Sequence, residues 1–355
     1  MRPKSTYLFR NTARLSAIVP GFFLFLFWAG CAPQKTHQVQ TAFYYWKTNL
    51  RIAPYESKVL QETGAEVLYL RLFDIDWNEA GNKPVPIGIL QSEPVTDTTL
   101  QYIPVVYITQ PCLLRLEEKD LPRLATNVSG LIRQLCDRYH VSPAEIQIDC
   151  DWTKNSSALY FRLLQQLKEQ DFFRDKLLSC TIRLHQVKYT SANGIPPVDK
   201  GLLMVYNMGN LTRYGGHNSI LEPGEATQYL KGLGTYPLPL DVALPVYHWA
   251  ALFEQKRFKG ILYNLGKEQF AATGLEHKEG NLYQVKTDSK TGGYSLKAGQ
   301  EIRFEAPGLK DLEQVAAFIG SRIKDSTFRL AFFHLDSLSM QPYRPADLNH
   351  IRSTF

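Results

Sequence analysis

Eight apolar, β-prone runs recur along this chain at spacings wide enough to hold a helix between most of them. They are Ala42–Trp46, Glu66–Phe73, Tyr102–Ile108, Glu145–Asp151, Leu177–Leu184, Gly201–Tyr206, Leu240–Tyr247 and Phe328–Leu335. Most are nearly continuous in apolar character, as expected of strands covered on both faces in a parallel sheet. Helical periodicity is clearest at Leu121–Arg138, Ser157–Glu169, Glu225–Gly232 and Leu309–Lys324, and Ser142-Pro143 punctuates the turn into the fourth strand. Eight strands with helical crossovers predict an α/β chain folded as a (β/α)8 TIM barrel. A doubly wound open sheet is the competitor, but no Gly-rich phosphate loop supports it. Residues 258–306 break the rhythm. They hold short alternating runs, Asn281–Lys286 and Gly299–Phe304, around Lys290-Thr291-Gly292-Gly293, and they predict a small β-rich insertion between strands seven and eight.

The N-terminus has a different character. Arg2, Lys4, Arg10 and Arg14 precede an apolar stretch from Leu15 to Trp28, followed by Ala29-Gly30-Cys31. This is the pattern of a secretory signal, short for a membrane span and interrupted by Pro20. Small residues before a cysteine resemble a bacterial lipoprotein signal, in which Cys31 is lipidated and becomes the new N-terminus. Trp28 departs from the usual Leu of that pattern. The expected organisation is a signal over 1–30, a polar tether over 31–40 and a barrel over 41–355, held at the membrane of the bacterial cell envelope through Cys31. The signal carries four of the 40 basic residues and none of the 34 acidic ones, which leaves a formal charge of +2 on the remainder. Bulk charge therefore gives no support to nucleic-acid binding. Cys112, Cys136, Cys150 and Cys180 form no C-x-x-C pair, which argues against a structural zinc site.

In a barrel of this kind the chemistry gathers at the C-terminal strand ends. The stretch Ile146-Gln147-Ile148-Asp149-Cys150-Asp151-Trp152-Thr153 is the most informative there. Side chains alternate along a strand, so Asp149 and Asp151 share a face. Two acids placed together are costly unless paired, hydrogen-bonded or used. Trp46, Trp77, Trp152 and Trp249 all fall at or just beyond predicted strand ends, as do Tyr206, Tyr247, Asp74, Asp76, Asp336, Arg183, His185, His248 and His334. Indole faces beside carboxylates suit a carbohydrate, with rings on sugar C–H surfaces and acids accepting from hydroxyls. The competing reading is that the aromatics merely plug the barrel mouth. No H-x-H or H-E-x-x-H spacing favours a metal, and no cofactor motif is present.

The strand-four motif and the sixth strand together resemble the family 18 glycoside hydrolases, the chitinases and their relatives. That family's fourth strand reads D-x-x-D-x-D-x-E; here Asp149 and Asp151 match, with Thr153 at the position of the terminal Glu. Its M-x-Y-D corresponds to Met204-Val205-Tyr206-Asn207, and Leu244-Pro245-Val246-Tyr247 is similar to its seventh strand. The chain also resembles bacterial proteins that share a Q-x-D-x-D strand and a following Tyr-containing helix, here Gln147 to Tyr160. The resemblance implies a TIM barrel with Asp149, Asp151 and Tyr206 in the catalytic positions. Asn207 and Tyr247 of those motifs, with Trp46, Asp74, Asp76, Trp77, Trp152, Arg183, Trp249, His334 and Asp336 at the predicted strand ends, are expected around a bound glycan. In that family the terminal Glu protonates the leaving oxygen and the substrate's acetamido group is the nucleophile. Thr153 is too weak an acid for that role. Asn207 replaces an acid, and the last strand lacks the Trp that floors the sugar site. Three outcomes follow. The chain has lost hydrolysis and kept glycan binding; or another acid, with Asp151 as acid or nucleophile and Asp76, Glu79 or Asp336 as partner, has taken over; or the barrel is a scaffold for a protein partner.

Overall fold

The computed structural model describes residues 37–95, 97–263, 265–266 and 274–355; the signal and Cys31 lie outside the described residues. The eight expected runs are all strands: β1 (Gln38–Tyr45), β2 (Val67–Asn78), β4 (Gln101–Ile108), β5 (Glu145–Cys150), β6 (Leu177–Arg183), β7 (Lys200–Met204), β8 (Leu240–Pro245) and β16 (Thr327–Phe333). They pair in parallel in the order β1-β16-β8-β7-β6-β5-β4-β2, and β1 pairs with β2 to close the barrel. A short β3 (Lys83–Ile87) folds back antiparallel on the end of β2. β1 begins at Gln38, inside the stretch expected as a tether over 31–40. His37 already bonds to the backbone carbonyls of Gly320 and Asp325.

The four predicted helices appear as Leu121–Tyr139, Ser157–Lys168, Pro223–Leu230 and Leu309–Gly320. The first buries Leu121, Leu124, Ala125, Val128, Ile132, Leu135 and Tyr139, a stripe at three- and four-residue spacing that packs on the barrel. The helices Pro54–Thr63 and Pro345–Ser353 had no comparable apolar stripe. They pack on each other across the outside of β1.

The insertion is a five-stranded antiparallel sheet in the order β10-β9-β15-β12-β11. Its strands are β9 (Trp249–Glu254), β10 (Arg257–Leu262), β11 (Leu275–Glu279), β12 (Leu282–Val285) and β15 (Glu301–Glu305), with a separate hairpin of β13 (Ser289–Thr291) and β14 (Tyr294–Leu296). It starts at Trp249 rather than 258; in sequence Trp249–Phe253 reads as a continuation of the Leu240–Tyr247 run that holds β8, with only His248 between them. Ala250, Leu262, Leu265, Val285, Leu296 and Ile302 give it a small core of its own.

The interior of the barrel is unusually polar. On β5, Ile146, Ile148 and Cys150 face the helices, whereas Glu145, Gln147 and Asp149 form a column inward. Tyr44 donates to Gln147 at mid-height. Asp149 stands at the top of this column.

Candidate functional site

A cavity of about 550 Å³ opens at the C-terminal end of the barrel. Its walls come from nearly every strand end. Trp46 follows β1 and Tyr107 lies on β4. Asp149 and Asp151 come from the end of β5, and Arg183 closes β6. Met204 ends β7, with Tyr206 and Asn207 just beyond it; Tyr247 and His248 follow β8. Trp249 and Tyr263 reach in from the insertion. Phe333 ends β16, and His334, Leu338 and Ser339 follow it. Seven of these are Trp, Tyr or Phe. Phe333 is the hub, with ring centroids 5.3 Å from Tyr206, 5.7 Å from Tyr247 and 5.8 Å from Trp46.

The two carboxylates are held differently. Asp149 is 5 % exposed, and Thr181 Oγ1 donates to its Oδ1 at 2.5 Å. Burial, and then the neighbouring Asp151, push its pKa up to about 7, against smaller opposing effects of Thr181 and Arg183. Asp151 sits higher and is ion-paired, with Arg183 Nε donating to Oδ1 at 2.5 Å. Tyr206 is 3 % exposed; its buried hydroxyl has no partner among the described residues, and burial raises its pKa well above the ordinary phenol value. Burial also lowers the pKa of His248 and of His334, so both imidazoles are neutral at neutral pH. Asn207 occupies a left-handed backbone position, φ 56°, which Asn tolerates better than most residues. There its Oδ1 accepts from the Tyr247 hydroxyl at 2.5 Å.

Of the residues expected at the site, the cavity brings together Trp46, Asp149, Asp151, Arg183, Tyr206, Asn207, Tyr247, Trp249 and His334. Five others lie elsewhere. Trp152 is fully buried in the core, edge-on to Phe161 at 5.1 Å and stacked near Tyr160 at 6.2 Å. Trp77 lies out along β2, paired with Pro84. Asp74 is held by both Nε and Nη2 of Arg71. Asp76 accepts from Thr109 Oγ1 at 2.6 Å. Asp336 caps the short helix Ser337–Met340 through the Leu338 and Ser339 amides and pairs with Lys47 at 2.9 Å. Burial opposes the Asp336 charge, but Lys47 and the Ser339 amide outweigh it and hold its pKa below the ordinary carboxylate value.

These acids brace the walls instead of lining them. Arg71 lies over the Trp46 ring at 5.5 Å, so the Arg71–Asp74 pair fixes that indole from behind. Lys47 joins Glu56 at 2.7 Å to Asp336, which anchors the segment carrying Leu338 and Ser339. Glu79, a candidate second acid, is exposed and paired with Arg115. Thr153 is also absent from the lining. Its carbonyl accepts from the Ser156 and Ser157 amides, and it forms the turn into the helix Ser157–Lys168. Tyr107, Phe333 and Tyr263 were not foreseen. The first two sit inside apolar runs and the third in the insertion, where nothing in the residue type marks them.

The fold is a TIM barrel of the kind found in solved chitinases and spore cortex-lytic enzymes. A chitinase from Chromobacterium violaceum superposes with a TM-score of 0.56 at 9 % identity, over 88 % of this chain and 98 % of that one. The spore cortex-lytic enzyme SleL of Bacillus cereus superposes with a TM-score of 0.51 at 14 % identity, over 90 % and 75 %. SleL of Bacillus megaterium gives 0.51 at 12 %, over 89 % and 75 %. At these identities the likeness concerns the fold. No family model matches the chain, and no curated protein sequence does.

Proposed function

We propose that this chain is a lipid-anchored glycan-binding protein that holds a carbohydrate in the mouth of a glycoside hydrolase-like barrel without cleaving it. The observation that carries the reading is the cavity itself: seven aromatic rings around two carboxylic acids, with Thr153, at the family's acid position, absent from its lining. Asp151 is tied to Arg183. Asp149 lies at the head of the barrel interior with one oxygen taken by Thr181. Thr153, at the family's acid position, belongs to a helix-entry turn. Aromatic faces with hydrogen-bonding acids are what a sugar needs for binding alone, and the similar solved structures include enzymes named as chitinases.

A hydrolytic reading has one observation in its favour. A carboxyl with a pKa near 7 is matched to general-acid work at neutral pH. A second carboxylate at a workable separation is also required by the two-acid scheme, and the one available is engaged by arginine. Fluorescence titration against a panel of oligosaccharides tests the binding reading. A saturable change should appear with at least one glycan and shift to about tenfold higher concentration in Trp46→Ala; no response to any member of the panel contradicts it.

The N-terminal part of the reading is that residues 1–30 are removed and Cys31 is acylated, tethering the barrel to the cell envelope. Metabolic labelling with a fatty-acid probe should mark the wild-type chain and not Cys31→Ser. Equal labelling of both, or of neither, contradicts the anchor.

A further inference from the structure

Six carboxylates are buried among the described residues: Glu56, Glu145, Asp149, Asp241, Glu301 and Glu305. Five of them have a cation at ion-pair distance. Lys47 serves Glu56, Arg329 serves Glu145, Lys200 serves Asp241, Lys278 serves Glu301 and Arg303 serves Glu305. Asp149 is the exception. The nearest guanidinium, Arg183, is bonded to Asp151, and the charged side chains of the cavity are two carboxyls against one arginine. His248 and His334 do not make up the difference, because burial keeps them neutral.

A buried acid without a counter-charge keeps its proton, and the site gains an ionic interaction only when a cation arrives. Asp149 is at the head of an open cavity, not in sealed core, so that cation can come from a ligand. Beside it, the hydroxyl of Tyr206 is buried and unpartnered, a second group in the same wall left for a ligand to satisfy. Tyr107 and Tyr206 also line the cavity, and aromatic rings attract an ammonium.

We propose that the glycan bound here carries a free primary amine, whose ammonium group supplies the counter-charge that Asp149 lacks. The inference rests on the glycan-binding reading and narrows it to amino sugars that are not N-acylated. The exchange is balanced. Asp149 gives up its proton to solvent, its carboxylate pairs with the incoming ammonium, and one proton is released per ligand bound. The groups facing Asp149 that set this titration are Asp151 on its own strand, Asp74 and Tyr44 from β2 and β1, Arg183 from β6, and Tyr107 and Tyr206.

Calorimetry on the full chain tests it, with a β-1,4-linked glucosamine oligosaccharide and its fully N-acetylated counterpart as probes. Each is titrated between pH 5 and 7 in two buffers of different ionisation heat. The glucosamine oligomer should bind more tightly, release close to one proton, and gain about tenfold in affinity per pH unit until Asp149 ionises unaided. Asp149→Asn should abolish the pH dependence and the preference for the amine. If that variant fails to fold, the proton release of the wild-type chain decides alone. Equal or tighter binding of the N-acetylated oligomer without proton release overturns the amine and leaves glycan binding standing. Binding of neither probe overturns the amine; whether glycan binding falls with it is read separately, from the wider oligosaccharide panel.

Discussion

The two ends of this barrel contain the same kinds of residue arranged to opposite effect. At the N-terminal end Glu145 and Asp241 meet Arg329 and Lys200. Arg329 Nη1 reaches Glu145 at 2.5 Å and Asp241 at 3.5 Å, and Lys200 reaches Asp241 at 2.7 Å. Ser179 donates to the other Glu145 oxygen at 2.6 Å, and Tyr69 donates to the Asp241 oxygen that faces Arg329 at 3.1 Å. Two acids face two bases, although burial still holds the Asp241 pKa above its ordinary value despite both cations. At the C-terminal end two acids face one base, a tyrosine hydroxyl has no partner, and the space between them is open. Paired charge closes the lower end as structure. The upper end is left incomplete, which is the condition under which a ligand gains more than water does.

Breaking the lower end should cost the most. Arg329→Met strands Glu145 beside a half-paired Asp241, and losing one partner of a buried pair costs about 3–5 kcal/mol. Urea denaturation should show that loss, with Glu145→Gln in the same chain recovering part of it. Undiminished stability would mean the network contributes little. Trp152→Ala should cost a similar amount, about 3–5 kcal/mol, because it empties a fully buried site. Any variant that still folds should bind glycan as well as the wild type, since Trp152 does not reach the cavity. A selective loss of affinity would return that ring to the site.

The upper end makes a prediction of the opposite sign. Below about pH 4 Asp149 is neutral in folded and unfolded chains alike. Between there and about pH 7 the unfolded chain ionises it while the folded chain keeps the proton. Stability therefore falls as pH rises through this window, by up to roughly 4 kcal/mol for a displacement from 3.8 to about 7. Asp149→Asn removes that fall. The variant should melt higher than the wild type at pH 8 and no higher at pH 4; a lower melting temperature at pH 8 contradicts the uncompensated charge. The smallest effect belongs to Trp46→Ala, which should weaken glycan binding about tenfold, near 1.4 kcal/mol, with little change in stability. Loss of Arg71 behind it should do the same less strongly.

The same contrast explains what could be read from the sequence. Strands covered on both faces announce themselves as apolar runs, and all eight were visible. The inward column Glu145, Gln147, Asp149 was legible too, because it alternates with Ile146, Ile148 and Cys150. The direction of the chain beyond each strand was not legible. Trp46 and Trp152 look alike as aromatics after a strand. Only the turn at Thr153, which brings Tyr160 and Phe161 back over the indole, sends the second into the core. Asp74 was misplaced for a related reason. Three residues from Arg71, it should point to the other face of a regular strand. A register shift between Arg71 and Phe73 changes the parity and puts the two side chains together. Asp336 finds Lys47 and the Leu338 and Ser339 amides, and no local pattern reports the lysine, nearly the whole chain away.

Binding and cutting at this mouth are measured together in one experiment. The full chain is incubated at high concentration with each glycan that it binds, and products are followed by mass spectrometry over days while the bound fraction is measured on the same sample. Binding should be saturable and the oligosaccharide should stay intact throughout. Accumulating shorter products that disappear in Asp149→Asn would contradict binding without cleavage and make Asp149 the acid of a working hydrolase.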